Sequence, residues 1–408
     1  MFDMQSARLC IICKGSRALC GHANCPLLAK IEAKPKNKIG EEFFGPSPSI
    51  FVGRIGYPNV FAGPLGALAT DELQSVDNPS SWFGRSYEDI IALRSLLLRG
   101  KQKQSVFSRG KYIEEMQELA MAEKPTDIEM SFSGKPIYKF SFSDVMQPMG
   151  PSVTLNKLTI AENPKISTSV EKIVNDELKA AEASYALYKQ GSDVYKISTI
   201  ISSGALGYHK NRRLVPTRYS ITAIDDIICK QMLEEVRKFS QLNSFFVYSS
   251  QFLDNHFEIL LMPGSWEYEN FEAWAPGSFW SKHLKKAEIV EEYEPYSGRT
   301  AYADQEGGGY YAARLAVVEA LHKMKKQARI IVFREIYEGY TIPLGVWQVR
   351  ENVRNAMKQK PMSFATLKEA LNHITSNLRL PVSEYAKQSR ILGQKRILDF
   401  SIHPSSLS

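Results

Sequence analysis

No apolar run in this chain approaches the roughly 20 residues that cross a bilayer, and the opening MFDMQSARLC has no apolar leader core. Neither a membrane-spanning nor an exported protein is expected, and the cytoplasm is the predicted compartment. The chain also lacks G-x-x-x-x-G-K-[ST] and G-x-G-x-x-G, so no phosphate-cradling fingerprint announces a nucleotide. No repeat of fixed period occurs, and strands and helices alternate without a regular βαβ rhythm, which argues against a solenoid or a doubly wound sheet. Neither sign of charge dominates. Lys and Arg number 51 against 44 Asp and Glu, a formal +7, and a pI near 8.9 suits an anionic partner without requiring one.

Cysteine is scarce, and its placement is uneven. Of five, four are Cys10, Cys13, Cys20 and Cys25, in the pattern C-x2-C-x6-C-x4-C, with His22 between the last two. Cys10 and Cys13 form a knuckle pair whose thiolates reach one ion, and Cys20 with Cys25 closes a tetrahedron at Zn–S distances of about 2.3 Å. Gly15 and Gly21 permit the turns. The expected cofactor is structural Zn2+, since four ligands leave no open position, and His22 can stand in for Cys20 or Cys25. A disulfide is the competing use of such a pair, disfavoured in a reducing compartment. Lys14, Arg17, Lys30, Lys34, Lys36 and Lys38 surround the element, either touching phosphate or simply solvated. Cys229, in the apolar run 224–232, reads as a buried, inert thiol.

Near the C-terminus stand Gln394, Lys395, Arg396, Ile397, Leu398, Asp399, Phe400 and Ser401. The pattern Gln-x-x-aliphatic-x-x-aromatic is that of a sliding-clamp peptide, in which one tight helical turn plugs the aliphatic and aromatic side chains into an apolar pocket. Ile397 and Phe400 would form the plug, and Gln394 would hydrogen-bond the clamp. Ser401 stands where a second aromatic belongs, which weakens the contact. The alternative is a frayed helix end folded back on the body.

Punctuation divides the chain into a zinc-binding element at 1–33, a linker at 34–48, two α+β parts at 49–195 and 196–380, and a flexible tail at 381–408. Strands are expected at 49–53, 136–142, 152–160, 245–248, 257–262 and 330–333. Helices are expected at 82–98, 169–190, 224–242, 312–326 and 347–358. The predicted class is α+β, with a mixed, largely antiparallel sheet body and packed helices.

Several polar groups in the second half are candidates for phosphate or nucleic acid. Lys210, Arg212, Arg213 and Arg218 lead to Asp225 and Asp226, which either hold a divalent ion or pair with those cations. Gly307, Gly308 and Gly309 precede Tyr310 and Tyr311 and a helix, a setting that presents backbone N–H groups to an anion or simply makes a turn. Arg299 lies upstream and Arg314 on the first turn. Arg350 and Arg354, four apart, share a helix face, and Arg334, Glu335 and Glu351 add to the inventory. Trp266, Trp274, Trp280, Tyr310 and Tyr311 are either base-stacking platforms or core.

The four-cysteine N-terminus, Phe51-Val52-Gly53-Arg54 with Tyr57-Pro58, Gln147-Pro148-x-Gly150-Pro151, the stretch from Leu214 to Thr222, Gly308-Gly309-Tyr310-Tyr311, and Pro343-Leu344-Gly345-Val346-Trp347 with Arg350-Glu351 resemble the archaeal Nre family along nearly the whole chain. The resemblance implies a part in DNA damage repair, a C4-type zinc finger at Cys10, Cys13, Cys20 and Cys25, and binding of the clamp PCNA through residues 394–401, with DNA and other repair proteins as further partners. It carries over no catalytic residue. Two functions follow as expectations: a repair factor held at DNA by the clamp, or an enzyme acting on DNA or a nucleotide through Arg218, Asp225, Tyr310 and Arg314 gathered in one pocket.

Overall fold

A computed structural model describes residues 40–69, 71–136, 150–278, 285–340 and 344–394. The chain divides into two compact units, residues 1–232 with 341–351, and residues 233–340 with 352–408.

The first unit is built on strands β1 (Glu42–Ser47), β2 (Ser49–Val52), β3 (Asn59–Ala67), β4 (Leu97–Ser105), β5 (Thr126–Phe132) and β6 (Ser152–Ile160), ordered β1-β5-β6-β4-β3-β2. Every neighbouring pair is antiparallel except β4 and β6. The pleat sorts the side chains: along β5, Thr126, Ile128, Met130 and Phe132 are buried and the residues between them are not. That inner face meets a stripe of Ile113, Met116 and Leu119 on a helix spanning Lys111–Met121, which joins Ile50, Val52, Val60, Ala62 and Leu98 in one core. Gly63 is required by close approach, since a Cβ there would lie 1.8 Å from the Gly100 carbonyl oxygen.

The helices of this unit are α1 (Tyr87–Ser95), α2 (Lys111–Met121), α3 (Thr168–Asn175), α4 (Ala180–Lys189), α5 (Val194–Ser202) and α6 (Thr217–Val236), the last crossing the division at 232. The helix expected at 82–98 is only α1. Ser86 caps it by accepting from the Asp89 N–H at 3.0 Å, and Leu97 and Leu98 belong instead to β4, fully buried. The helix expected at 169–190 is two, α3 and α4. Its apolar face continues through the break, but Asp176 and Lys179 are extended, and the Lys179 N–H bonds the Glu182 carboxylate to start a new helix. The helix expected at 224–242 begins earlier, after Pro216, and stops at Val236.

In the second unit the sheet runs β11-β10-β13-β9-β8-β14, with β8 (Phe245–Phe252), β9 (Asn255–Met262), β10 (Glu267–Trp274), β11 (Glu288–Glu294), β13 (Arg329–Ile336) and β14 (Met362–Phe364). Within this sheet only β10 and β13 pair in parallel. A short ribbon joins β7 (Ser240–Gln241) to β12 (Lys326–Gln327). β8 and β9 connect through Leu253 and Asp254, both left-handed, the twist-matched geometry of a two-residue hairpin. All of β13 is buried, so both faces of this sheet are covered. The helices are α7 (Gly308–Met324), α8 (Trp347–Ala356), which crosses the division after Glu351, α9 (Leu367–Asn377), α10 (Val382–Ala386) and α11 (Arg390–Gly393). On one face, Phe271 and Phe333 stack with centroids 5.7 Å apart and Tyr385 of α10 meets both edge-on.

The architecture is α+β with mixed, largely antiparallel sheets. The strands expected near 49–53, 152–160, 245–248, 257–262 and 330–333 are present, and the one expected at 136–142 lies, past Pro136, outside the described residues. Among the described residues no helix is long and apolar enough to cross a membrane.

Candidate nucleic-acid interface

Three stretches of the first unit, 51–61, 97–112 and 207–221, contain Arg54, then Arg99, Lys101, Lys103, Arg109 and Lys111, then Lys210, Arg212, Arg213 and Arg218, and not one Asp or Glu. Backbone hydrogen bonds bring them together. The Gly53 N–H closes the β2–β3 hairpin on Phe61 at 2.7 Å, the Val106 N–H bonds the Pro58 carbonyl at 2.8 Å, and the Leu214 N–H bonds the Val106 carbonyl at 2.9 Å. The Val52 N–H reaches the Thr217 hydroxyl at 3.0 Å, and the Arg109 guanidinium donates to the Arg212 carbonyl. A hairpin tip, the turn after β4 and the loop before α6 thus form one end of the unit.

That end is exposed and mixed in character. Arg54, Lys103, Arg109, Lys210, Arg213 and Arg218 face solvent. Ile55, Tyr57, Phe61, Phe107 and Tyr219 are 77, 54, 44, 58 and 51% exposed, five of the nine large hydrophobics exposed among the described residues. A concentration of this kind marks an interaction surface, whereas scattered exposure would not. Arg99, Lys101 and Lys103 alternate on β4 and therefore share a face, with Phe61 directly opposite Lys103. Lys101 lies 5.5 Å over the Phe61 ring and Arg99 5.0 Å over Phe51. Burial, and then the charge of Arg99, lowers the Lys101 pKa; Arg99 is lowered by burial and by Arg94. Arg212 plays a positioning part, with its Nε on the Gly207 carbonyl at 2.9 Å and another nitrogen on Val174. Burial lowers it, Glu177 opposes that, and Arg109 adds to it.

The other sequence candidates are engaged inside the protein. Asp225, fully buried, receives Arg350 through Nε at 3.0 Å and a terminal nitrogen at 2.5 Å. Arg350 lies 4.9 Å over Tyr195, whose hydroxyl donates to Glu351 at 2.7 Å. Asp226 pairs with Lys230, so the two aspartates point to different partners. Arg354 forks onto Glu319 at 2.6 and 2.7 Å. Arg299 meets Glu292, while Arg314 and Tyr310 converge on Glu294. Gly309, in the first turn of α7, faces an internal anion: a Cβ there would lie 2.4 Å from the Glu272 carboxylate, itself paired with Arg334. Gly308 opens the helix beside it. Trp266, Trp274, Tyr310 and Tyr311 are core. Asp225, Tyr310 and Arg314 are each taken up by a partner within their own unit, while Arg218 is exposed.

Cys229 is buried, as expected. Cys10, Cys13, Cys20, Cys25, His22, Trp280 and residues 395–401 lie outside the described residues. Among the described residues no group of three or more His, Cys, Asp or Glu is placed to hold a metal.

Sequence reasoning missed the aromatics at 57, 61, 107 and 219, although the absence of acids from their segments was a readable signal. It also missed a carboxyl pair, Glu269 and Glu291, on β10 and β11. Glu269 accepts from Ser389 and from the Arg390 N–H at 2.6 Å. Burial, and then the Glu269 charge, pushes the Glu291 carboxyl up to about 7. The folded pair therefore keeps a proton that the unfolded chain releases near 4.5, so stability falls as pH rises from about 4.5 to 7. Glu291→Gln is expected to flatten that decline by on the order of 1 kcal/mol, discounted for partial exposure. Thermal melts at pH 5 and 8 would refute this by showing the same pH difference as the parent.

Two family models match the chain: "Archaeal Nre, N-terminal" over residues 19–281 and "Archaeal Nre, C-terminal" over 294–400. Among curated relatives, the DNA repair protein NreA of Archaeoglobus fulgidus is 41% identical over 366 residues, covering 89% of this chain and 92% of its own. NreB of the same organism is 36% identical over 393 residues, covering 95% and 98%. NreA of Haloferax volcanii is 36% identical over 370 residues, covering 88% of each. No solved structure matches.

Proposed function

The chain belongs to the archaeal Nre family of DNA repair proteins, and from that premise we propose that it is a repair factor held at DNA by docking residues 394–401 on the sliding clamp PCNA. The C-terminal peptide carries the reading. Gln394, Ile397 and Phe400 stand at the spacing that one tight turn converts into a polar anchor and a two-residue plug. The adjoining structure is compatible with it: α11 is capped by Ser389, Ile391 is buried, and Gln394 is already exposed and extended. Cys10, Cys13, Cys20 and Cys25 hold a structural Zn2+ in this proposal, in an element that organises the N-terminus and takes no part in a reaction.

The test is calorimetric titration of the full chain with the cognate PCNA ring. Gln394→Ala combined with Phe400→Ala is expected to weaken binding at least 30-fold, since two anchors are removed. Ser401→Phe is expected to tighten it by restoring the missing ring. Unchanged affinity in the double variant would reject clamp docking through this peptide. Metal analysis of the same preparations should find one zinc per chain, lost on Cys10→Ser with Cys13→Ser; a zinc-free parent would remove the finger from the proposal.

A further inference from the structure

We propose that the exposed end of the first unit, where the β2–β3 hairpin tip, the turn after β4 and the loop before α6 meet, binds single-stranded DNA. The inference takes the presence of DNA from the repair-family reading and is independent of the clamp. Charge supplies the first argument. The three stretches that form this end contain Lys and Arg without any Asp or Glu, and Lys103, Arg109, Arg213 and Arg218 project into solvent. A polyanion is the complementary partner, and such cations gain most when they displace condensed counterions from a phosphate chain.

The exposed rings decide which polyanion. Tyr57, Phe61, Phe107 and Tyr219 leave 44 to 58% of their surface in water beside those cations. A duplex presents stacked, mutually shielded bases and hydrated groove edges, to which the Phe61 and Phe107 rings offer no donor or acceptor. An unpaired strand presents one π-face per base, and rings interleaved with cations fit it without reading its sequence. The hydrogen bonds that run from Leu214 to Val106 and from Val106 to Pro58 hold the ring-bearing segments together, so the platform exists before the strand arrives. From β4, Lys101 lies over Phe61 of β3 and Arg99 over Phe51 of β2, and a phosphate arriving there would relieve the crowding of these like charges.

The test is fluorescence anisotropy of the full chain with a labelled oligothymidylate of about 20 nucleotides, a duplex of equal length and an oligouridylate. Single-stranded DNA is expected to bind at least tenfold tighter than duplex. Phe107→Ala or Tyr57→Ala should weaken binding roughly 5- to 100-fold. Arg213→Glu should reduce the slope of log affinity against log salt by about 0.7 or more. Duplex binding equal or tighter, or RNA binding tighter than DNA, would overturn the assignment of the ligand. Unchanged binding in Phe107→Ala, Tyr57→Ala and Arg213→Glu, each folded by circular dichroism, would overturn the assignment of the site. Gln394→Ala with Phe400→Ala should leave strand binding intact, which separates this result from any failure at the clamp.

Discussion

Asp225→Ala is expected to lower the unfolding free energy by about 3–5 kcal/mol, the cost of leaving a buried guanidinium without its carboxylate. The pair is closed to water, with Arg350 and Asp225 side chains 1 and 0% exposed, and it joins α6 to α8 within the first unit through two hydrogen bonds. Restoring good packing matters more than restoring charge. Asp225→Leu combined with Arg350→Met should recover most of the loss, because an apolar pair of similar volume avoids the desolvation that the ion pair must overcome. Chemical denaturation decides the matter: if Asp225→Ala retains the parent midpoint, the pair is not holding these helices together.

Glu335→Ala ranks next, at about 3 kcal/mol or more, because one side chain satisfies four donors. Its carboxylate accepts the Arg379 and Leu380 N–H groups at 2.8 and 2.9 Å and the Tyr337 and Tyr385 hydroxyls at 2.9 Å each. Burial, and then the Glu335 charge, pushes both phenols well above their ordinary range, so they remain donors at any physiological pH. Removing the acceptor orphans these groups at the point where the chain passes from α9 to α10. Glu335→Gln keeps the shape but introduces a donor, and should fall between parent and alanine. A melting temperature for Glu335→Ala within 1 °C of the parent would show that water replaces the carboxylate.

Legibility in the sequence followed how each element hides its polar atoms. The apolar run 330–333 announced β13 because both faces of that strand are covered. β10, with the sequence EYENFEAW, did not announce itself, since Glu269 and Glu272 are buried on partners that lie far along the chain, Ser389 and Arg334. Their charges disguise a central strand as a solvated one. The α3–α4 break was hidden for the opposite reason: the apolar face runs on across 176–179, and only the backbone bond from Lys179 to Glu182 interrupts it. For Arg350, Arg354 and Asp225 ion pairing was legible but its partners were not, because these lie 125 and 35 residues away. Arg213 and Arg218 were legible as surface cations. The rings beside them come from other parts of the chain and meet them only after folding.

The relay of amides at that surface has a consequence for its motions. Val106 donates through its N–H to Pro58 and accepts through its carbonyl from Leu214, so the hairpin tip cannot lift without disturbing the turn behind it, nor the turn without the loop before α6. Local opening should therefore release the Val106 and Leu214 amides to isotope exchange as one cooperative event. An occupant seated over any part of the surface would slow exchange at both.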